Sequence, residues 1–229
     1  MSRQKFIFVH VPKCAGKSFK LMLTTSVGKA DVFNISNNPL NIDQMKTFKQ
    51  RLLETCKYSA RFVVYNTIFL RYFCVPRFVI GHFSVRQFSC DQSQFGTILR
   101  DPIDLVGSYL SYYSKKYPSL ISGNVIGDIL ALGLDRIYLS FFRDKPFSEF
   151  DYVGLVSDLP RSLVLFSKVT GVSVQEVFIN SSNTRDFSYR EYFHSLGVLT
   201  EIEALLSPEI EMYTEGVARF DSLCRSYEV

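Results

Sequence analysis

The sequence predicts an α/β fold with a central, mainly parallel sheet flanked by helices. Three observations predict it. Short runs that are apolar at every position, such as Phe6-Ile7-Phe8-Val9, suit strands buried on both faces. Breaking signals close these runs: Pro12 follows the first, Gly81-His82 follows Phe78-Val79-Ile80, and Asp101-Pro102 follows Thr97-Ile98-Leu99. Between the runs lie stretches with helical spacing, and that alternation is the pattern of parallel strands joined by helices.

In chain order, the first strand covers 6–9. A compact Lys13-Cys14-Ala15-Gly16 loop follows, and a helical pattern starts at Ser18. Residues 31–40 are rich in Asn, Ser and Pro and read as loop. Residues 41–58 carry Ile42, Met45, Phe48, Leu52, Leu53 and Cys56 at helical spacing. Strands are expected at 78–80 and 97–99. Asp101 as cap and Pro102 at the first helical position start a helix that runs to Lys116. Residues 124–140 and 157–170 read as helices, and 152–155 and 177–179 as strands. The segment 198–226 reads as two helices broken at Ser207-Pro208.

The chain has 229 residues, 47% of them hydrophobic and 21% charged, so it is neither disordered nor fibrous. That length can bury most of its unfolded surface without a disulfide or metal staple. The reading is a single domain over 1–229. No apolar run approaches the ~18 residues of a membrane helix, and the N-terminal apolar run is too short for a signal peptide. A cytoplasmic protein is expected. Five scattered cysteines without a CxxC, and three histidines, predict reduced thiols and no metal site.

The net charge of +4 hides an asymmetry. Residues 1–116 hold 17 Lys and Arg against 6 Asp and Glu, whereas residues 117–229 hold 9 against 16. A first half at +11 suggests an anionic ligand there. The place for it is the loop. A strand, a tight turn with Gly16, then Lys17-Ser18 entering a helix is phosphate-binding geometry, because backbone N–H groups and the helix N-terminus face the anion. It is not a Walker A loop, since Val11 stands where the first Gly is required. Instead Pro12-Lys13 opens a shorter loop, and Lys13 can reach across the anion. Arg100, at a strand end, and Ser108, two turns into the next helix, offer a guanidinium fork and a hydroxyl, groups suited to clamping a terminal phosphate. Lys13, His82 and Arg100 all lie just past strand C-termini, where ligands of open α/β sheets bind.

His10-Val11-Pro12-Lys13-Cys14-Ala15-Gly16-Lys17-Ser18-Phe19 resembles the 5′-phosphosulfate loop of sulfotransferases that use 3′-phosphoadenosine 5′-phosphosulfate (PAPS). It is most similar to the carbohydrate branch that includes heparan-sulfate 2-O-sulfotransferases. Lys17 departs mildly from the Thr or Ser common there. Thr97-Ile98-Leu99-Arg100-Asp101-Pro102 with Ser108-Tyr109 resembles the family's 3′-phosphate motif, and Phe78-Val79-Ile80-Gly81-His82-Phe83 resembles a segment whose histidine is the base. The resemblance touches most of the chain and implies a P-loop-like three-layer fold. It implies sulfuryl transfer from PAPS to a hydroxyl of a carbohydrate, leaving 3′,5′-adenosine bisphosphate. His82 and Lys13 would be catalytic, and Lys13, Cys14, Ala15, Gly16, Lys17, Ser18, Arg100 and Ser108 would bind the donor.

Other readings stay open beside this one. A P-loop nucleotide kinase would share the Gly16-Lys17-Ser18 half of the loop, and a non-catalytic carbohydrate-binding protein could keep the fold. No nucleic-acid-binding module is evident. His10 reads as a structural or supporting residue inside the first strand, and His194 as a surface residue. Tyr109, Tyr112, Tyr113 and Tyr117 read as core or helix-surface aromatics. Arg185, in Asn183-Thr184-Arg185, is a loop residue that could add charge near the nucleotide. The Cys14 thiol, beside two lysines and a helix N-terminus, is expected to have a lowered pKa.

Overall fold

In the computed structural model, residues 5–35, 77–85, 93–174 and 188–229 are described. Strand β1 (Phe6–Val9) is buried at every position. It lies at the centre of a five-stranded sheet with β2 (Val32–Ile35), β3 (Phe78–Gly81), β4 (Gln94–Leu99) and β5 (Tyr152–Leu155). The order is β2-β3-β1-β4-β5, and every pairing is parallel. Val9 is in register with Gly81 on one side and with Thr97 on the other. The segments that leave β1, β3 and β4 therefore emerge side by side. Chain progression reverses around β1, which makes that end of the sheet a topological switch point.

Helices cover both faces. Phe6 and Phe8, two residues apart, share one face. There Phe8 stacks on Phe19 at 4.3 Å, and Phe166 meets Phe6, Phe19 and Tyr152 edge-on at 5.6, 4.9 and 5.2 Å. Phe19 belongs to α1 (Gly16–Val27) and Phe166 to the helix Leu159–Thr170. A Cβ at Gly96 would come within 2.6 Å of the Phe6 ring, so the missing side chain makes room for this aromatic layer. On the opposite face, Leu99 packs against Gly216.

Asp101 caps α2 (Pro102–Lys116), accepting N–H bonds from Ile103 at 2.9 Å and Asp104 at 3.2 Å. The expected bounds of this helix match. The single helix expected over 124–140 is instead α3 (Val125–Ala131), a 3₁₀ turn Leu134–Arg136, and α4 (Ile137–Phe142). Gly133 separates them in the left-handed region at φ 63°. The helix Leu159–Thr170 is α5.

α6 (Tyr189–Ser195) was not expected, although Ser188-Tyr189-Arg190-Glu191 carries its capping signal and the Ser188 hydroxyl accepts the Glu191 N–H. α7 (Leu199–Leu205) and α8 (Ser207–Tyr227) meet at Leu206, one residue before the expected break. α8 contains Gly216 and packs against β5 and α4.

The loop expected over 31–40 is corrected at 32–35 by β2, a short edge strand in which Val32 and Phe33 are partly exposed and Asn34 is exposed; residues 36–40 lie outside the described residues. The helix expected over 41–58 and the strand over 177–179 lie outside the described residues. Among the described residues no helix is long and apolar enough to cross a membrane, and no group of His, Cys, Asp or Glu could hold a metal ion.

Candidate functional site

The loop that leaves β1 holds two non-glycine residues in the left-handed region, Lys13 at φ 70° and Ala15 at φ 53°. Such residues cost energy, and they persist where the surroundings impose them. Alternating backbone handedness turns successive N–H groups toward one concavity, the arrangement that binds anions. α1 begins at Gly16 with no side-chain cap and no acidic residue in its first turn. The positive end of that helix thus has no capping side chain or first-turn carboxylate of its own to complement it.

Gly16 is required by close approach. A Cβ placed on it would fall inside the imidazole ring of His10. Gly16→Ala is therefore expected to push the loop or the His10 ring aside. A drop of several degrees in melting temperature, roughly 1–3 kcal/mol for overpacking, would register it, and an unchanged melt would contradict this packing.

Arg100 follows β4, and its guanidinium donates to the Lys13 carbonyl at 3.4 Å. Register explains the meeting of residues so far apart in sequence, because β1 and β4 are neighbours. Tyr138 on α4 anchors the Arg100 backbone. Its hydroxyl accepts the Arg100 N–H at 2.8 Å and donates to the Arg100 carbonyl. Beneath it, buried Glu209 accepts the N–H groups of Tyr138 at 2.5 Å and Leu139 at 3.0 Å, capping α4. Burial pushes the Glu209 carboxyl up to about 7 against the pull of those bonds. Sequence reasoning missed Tyr138 and Glu209, because no local motif marks residues that act from 38 and 71 positions away. Asp101, next to Arg100, serves the N-terminus of α2 and lies 3.7 Å from Arg190.

Lys13 is half-buried, and its ammonium lies 5.0 Å from the Tyr112 ring centre. Its pKa is lowered, first by burial and then by the charges of Arg100, Lys17 and Lys115. Three other cations thus bear on Lys13, a repulsion that a bound anion relieves. Lys17 is exposed on the first turn of α1 and Ser18 is buried beside it. Ser108 is buried on α2. It stands four residues before Tyr112 and so on the same helix face, one turn nearer Arg100. Tyr109 is also buried, and its hydroxyl finds no hydrogen-bond partner among the described residues.

Cys14 corrects the sequence reading. Its side chain is fully buried, and burial pushes the thiol up to about 12 despite the pull of Arg100 and of a bond with Tyr138. It is a small core residue that anchors the loop from below, not a reactive thiol.

His82 follows β3 and is partly buried. Its Nδ1 lies 2.7 Å from the His10 carbonyl oxygen. A carbonyl only accepts, so Nδ1 carries the proton and Nε2 keeps its lone pair. Burial lowers the His82 pKa, Lys20 adds to this, and the bond to His10 opposes it. His10 lies just past β1 rather than inside it, still joined to the sheet by its N–H to the Gly81 carbonyl at 2.8 Å. Burial, the neighbouring His82 and Lys20 push its pKa down to about 3. Both imidazoles are neutral at pH 7. His194 is exposed on α6, and Asn183 and Arg185 lie outside the described residues.

No protein-family model matches the chain, and no curated protein matches it. Among solved structures, it is similar to a sulfotransferase from Alicyclobacillus acidocaldarius at a TM-score of 0.45 and 16% identity, covering 92% of this chain and 97% of that one. It is also similar to mouse sulfotransferase SULT7A1 complexed with PAP, at a TM-score of 0.39 and 13% identity. That match covers 79% of this chain and 61% of that one.

Proposed function

We propose that the protein is a sulfotransferase that moves a sulfuryl group from PAPS to a hydroxyl of a carbohydrate. The observation that carries this reading is the contact of the Arg100 guanidinium with the Lys13 carbonyl. It joins the two sequence motifs read as 5′- and 3′-phosphate sites at one end of the sheet. The neutral His82, with its lone pair on Nε2, supports the same reading.

In this mechanism the acceptor oxygen attacks sulfur while the bond from sulfur to the 5′-phosphate oxygen breaks, and the hydroxyl proton passes to Nε2 of His82. Lys13 stabilises the charge that develops on the leaving phosphate oxygen, with Lys17, Ser18 and the N–H groups of Ala15 and Gly16 around it; the Cys14 N–H is held by the Val11 carbonyl at 3.3 Å, so Cys14 shapes the loop. Arg100 and Ser108 hold the 3′-phosphate and set the register of the donor. Positioning and electrostatics supply most of the rate, as in phosphoryl transfer.

Calorimetric titration with 3′,5′-adenosine bisphosphate tests the reading, which fails if the protein does not bind it. A thermal-shift comparison with ATP separates it from a nucleotide kinase, and transfer of radiolabelled sulfate to a glycan panel separates it from an inactive carbohydrate-binding protein. Arg100→Ala removes a charge-assisted pair of about 1.5–3 kcal/mol. Affinity for the bisphosphate is then expected to fall about 10–100-fold, and an unchanged titration would place the 3′-phosphate elsewhere.

A further inference from the structure

His10 takes no part in the steps above, yet it touches both halves of the machinery. On one side its ring fills the space that a side chain at Gly16 would need. On the other its ring centre lies 4.3 Å from that of His82, with 35° between the planes. Its carbonyl accepts the Nδ1–H of His82 at 2.7 Å, and its own N–H is held by the Gly81 carbonyl at 2.8 Å. The backbone of His10 is therefore pinned to the sheet, and the ring is a fixed wedge between the anion loop and the base.

We propose that His10 is a positioning residue whose ring holds the Gly16 turn and the His82 imidazole in one register, so that donor loop and base move together or not at all. The proposal rests on the reading of the loop as donor site and of His82 as base. A small residue at position 10 would keep the carbonyl that fixes the His82 tautomer and lose only the wedge. Water would then enter beside His82, and the loop would lose its support under Gly16. The neutrality of the ring matters as well. Among the described residues, His82 and Lys20 are the charged or titratable groups that bear on His10, and Lys20 is the one that bears on His82, whose Nδ1–H is also held by the His10 carbonyl. A cationic ring here would repel Lys20 and the loop lysines.

The test is His10→Ala in the full chain, with two readouts on the same sample. The first is the NMR titration of His82, which is resolvable because the chain has only three histidines. Relief of burial is expected to move its pKa upward toward the ordinary value. The second is calorimetry with 3′,5′-adenosine bisphosphate, where affinity is expected to fall about 10-fold, the lower end of what lost supporting contacts cost a binding site. A merely structural role would lower the melting temperature and leave the His82 titration in place.

If His82 titrates as in the wild type, or if affinity is unchanged, the coupling is overturned. If His10→Ala does not fold, His10→Asn carries the test with the same two expectations. Failure of the wild type to bind the bisphosphate would instead overturn the donor-site reading, and with it the coupling. Binding by the wild type with an unmoved His82 titration would overturn the coupling alone.

Discussion

Lys13→Ala is expected to lower the kcat of sulfuryl transfer about 10²–10³-fold, the scale of losing one preorganised group aimed at developing charge. Lys13 opens the loop that leaves the central strand, in the left-handed region, with its carbonyl held by Arg100. Its ammonium is half-buried and feels the charges of Arg100, Lys17 and Lys115. A charge in that setting acts more strongly on a nearby oxyanion than an exposed one, because water screens it less. Its work falls mainly in the transition state, where the leaving phosphate oxygen gains charge, so the KM for the donor is expected to move by less than about tenfold. The fold is not at stake, since removing Lys13 removes its own repulsion with Arg100, Lys17 and Lys115. Steady-state transfer of radiolabelled sulfate, with a melting curve beside it, measures both. A kcat within a few-fold of the wild type would remove Lys13 from the chemistry.

His82→Ala is expected to lower kcat about 10²–10⁴-fold, the range for loss of a general base, while affinity for 3′,5′-adenosine bisphosphate stays close to that of the wild type. The pH profile of the wild type carries a second signature. Burial depresses the His82 pKa, so the base stays unprotonated as the pH falls through the ordinary histidine value. The rate is expected to hold across that range and to decline only at lower pH, when Nε2 takes a proton from solvent. Near-normal turnover in His82→Ala would place the base elsewhere. An acid limb at or above the ordinary histidine value would contradict the burial that sets it.

The tight loop after β1 and the strand end at Arg100 were legible as local structure because each motif is short-range. Pro12 to Ser18 is one turn entering one helix, and Arg100-Asp101-Pro102 is a strand end with a cap and a proline start. Short-range chemistry of this kind shows in sequence. Cys14 was misread for the same reason: its neighbours in sequence are lysines, whereas its neighbours in space are Tyr138 and the interior, and burial outweighs the charges. Tyr138 and Glu209 were illegible because their partners lie on other elements. β2 was missed because an edge strand needs apolar residues on fewer sides, and Val32-Phe33-Asn34-Ile35 runs straight into a polar stretch. The parallel sheet was readable from its buried runs, but the order β2-β3-β1-β4-β5 was not, because periodicity says which residues are buried and not which strand they lie beside.

The central place of β1 has a consequence for synthesis. Phe6-Ile7-Phe8-Val9 leaves the ribosome before either of its partners, and those partners are residues 78–81 and 94–97. A strand buried on both faces in the finished protein is thus exposed on both faces, with unpaired backbone, while the intervening residues are made. At ~5–20 residues per second that interval lasts roughly 4–20 seconds. A short apolar run of high β propensity, without Pro and without charge, is a segment prone to self-association while it waits. The nascent chain is expected to need a holding chaperone between the emergence of β1 and that of β4 rather than after β5. Slowing translation between β1 and β4 would lower the yield of folded protein more than slowing it after β5.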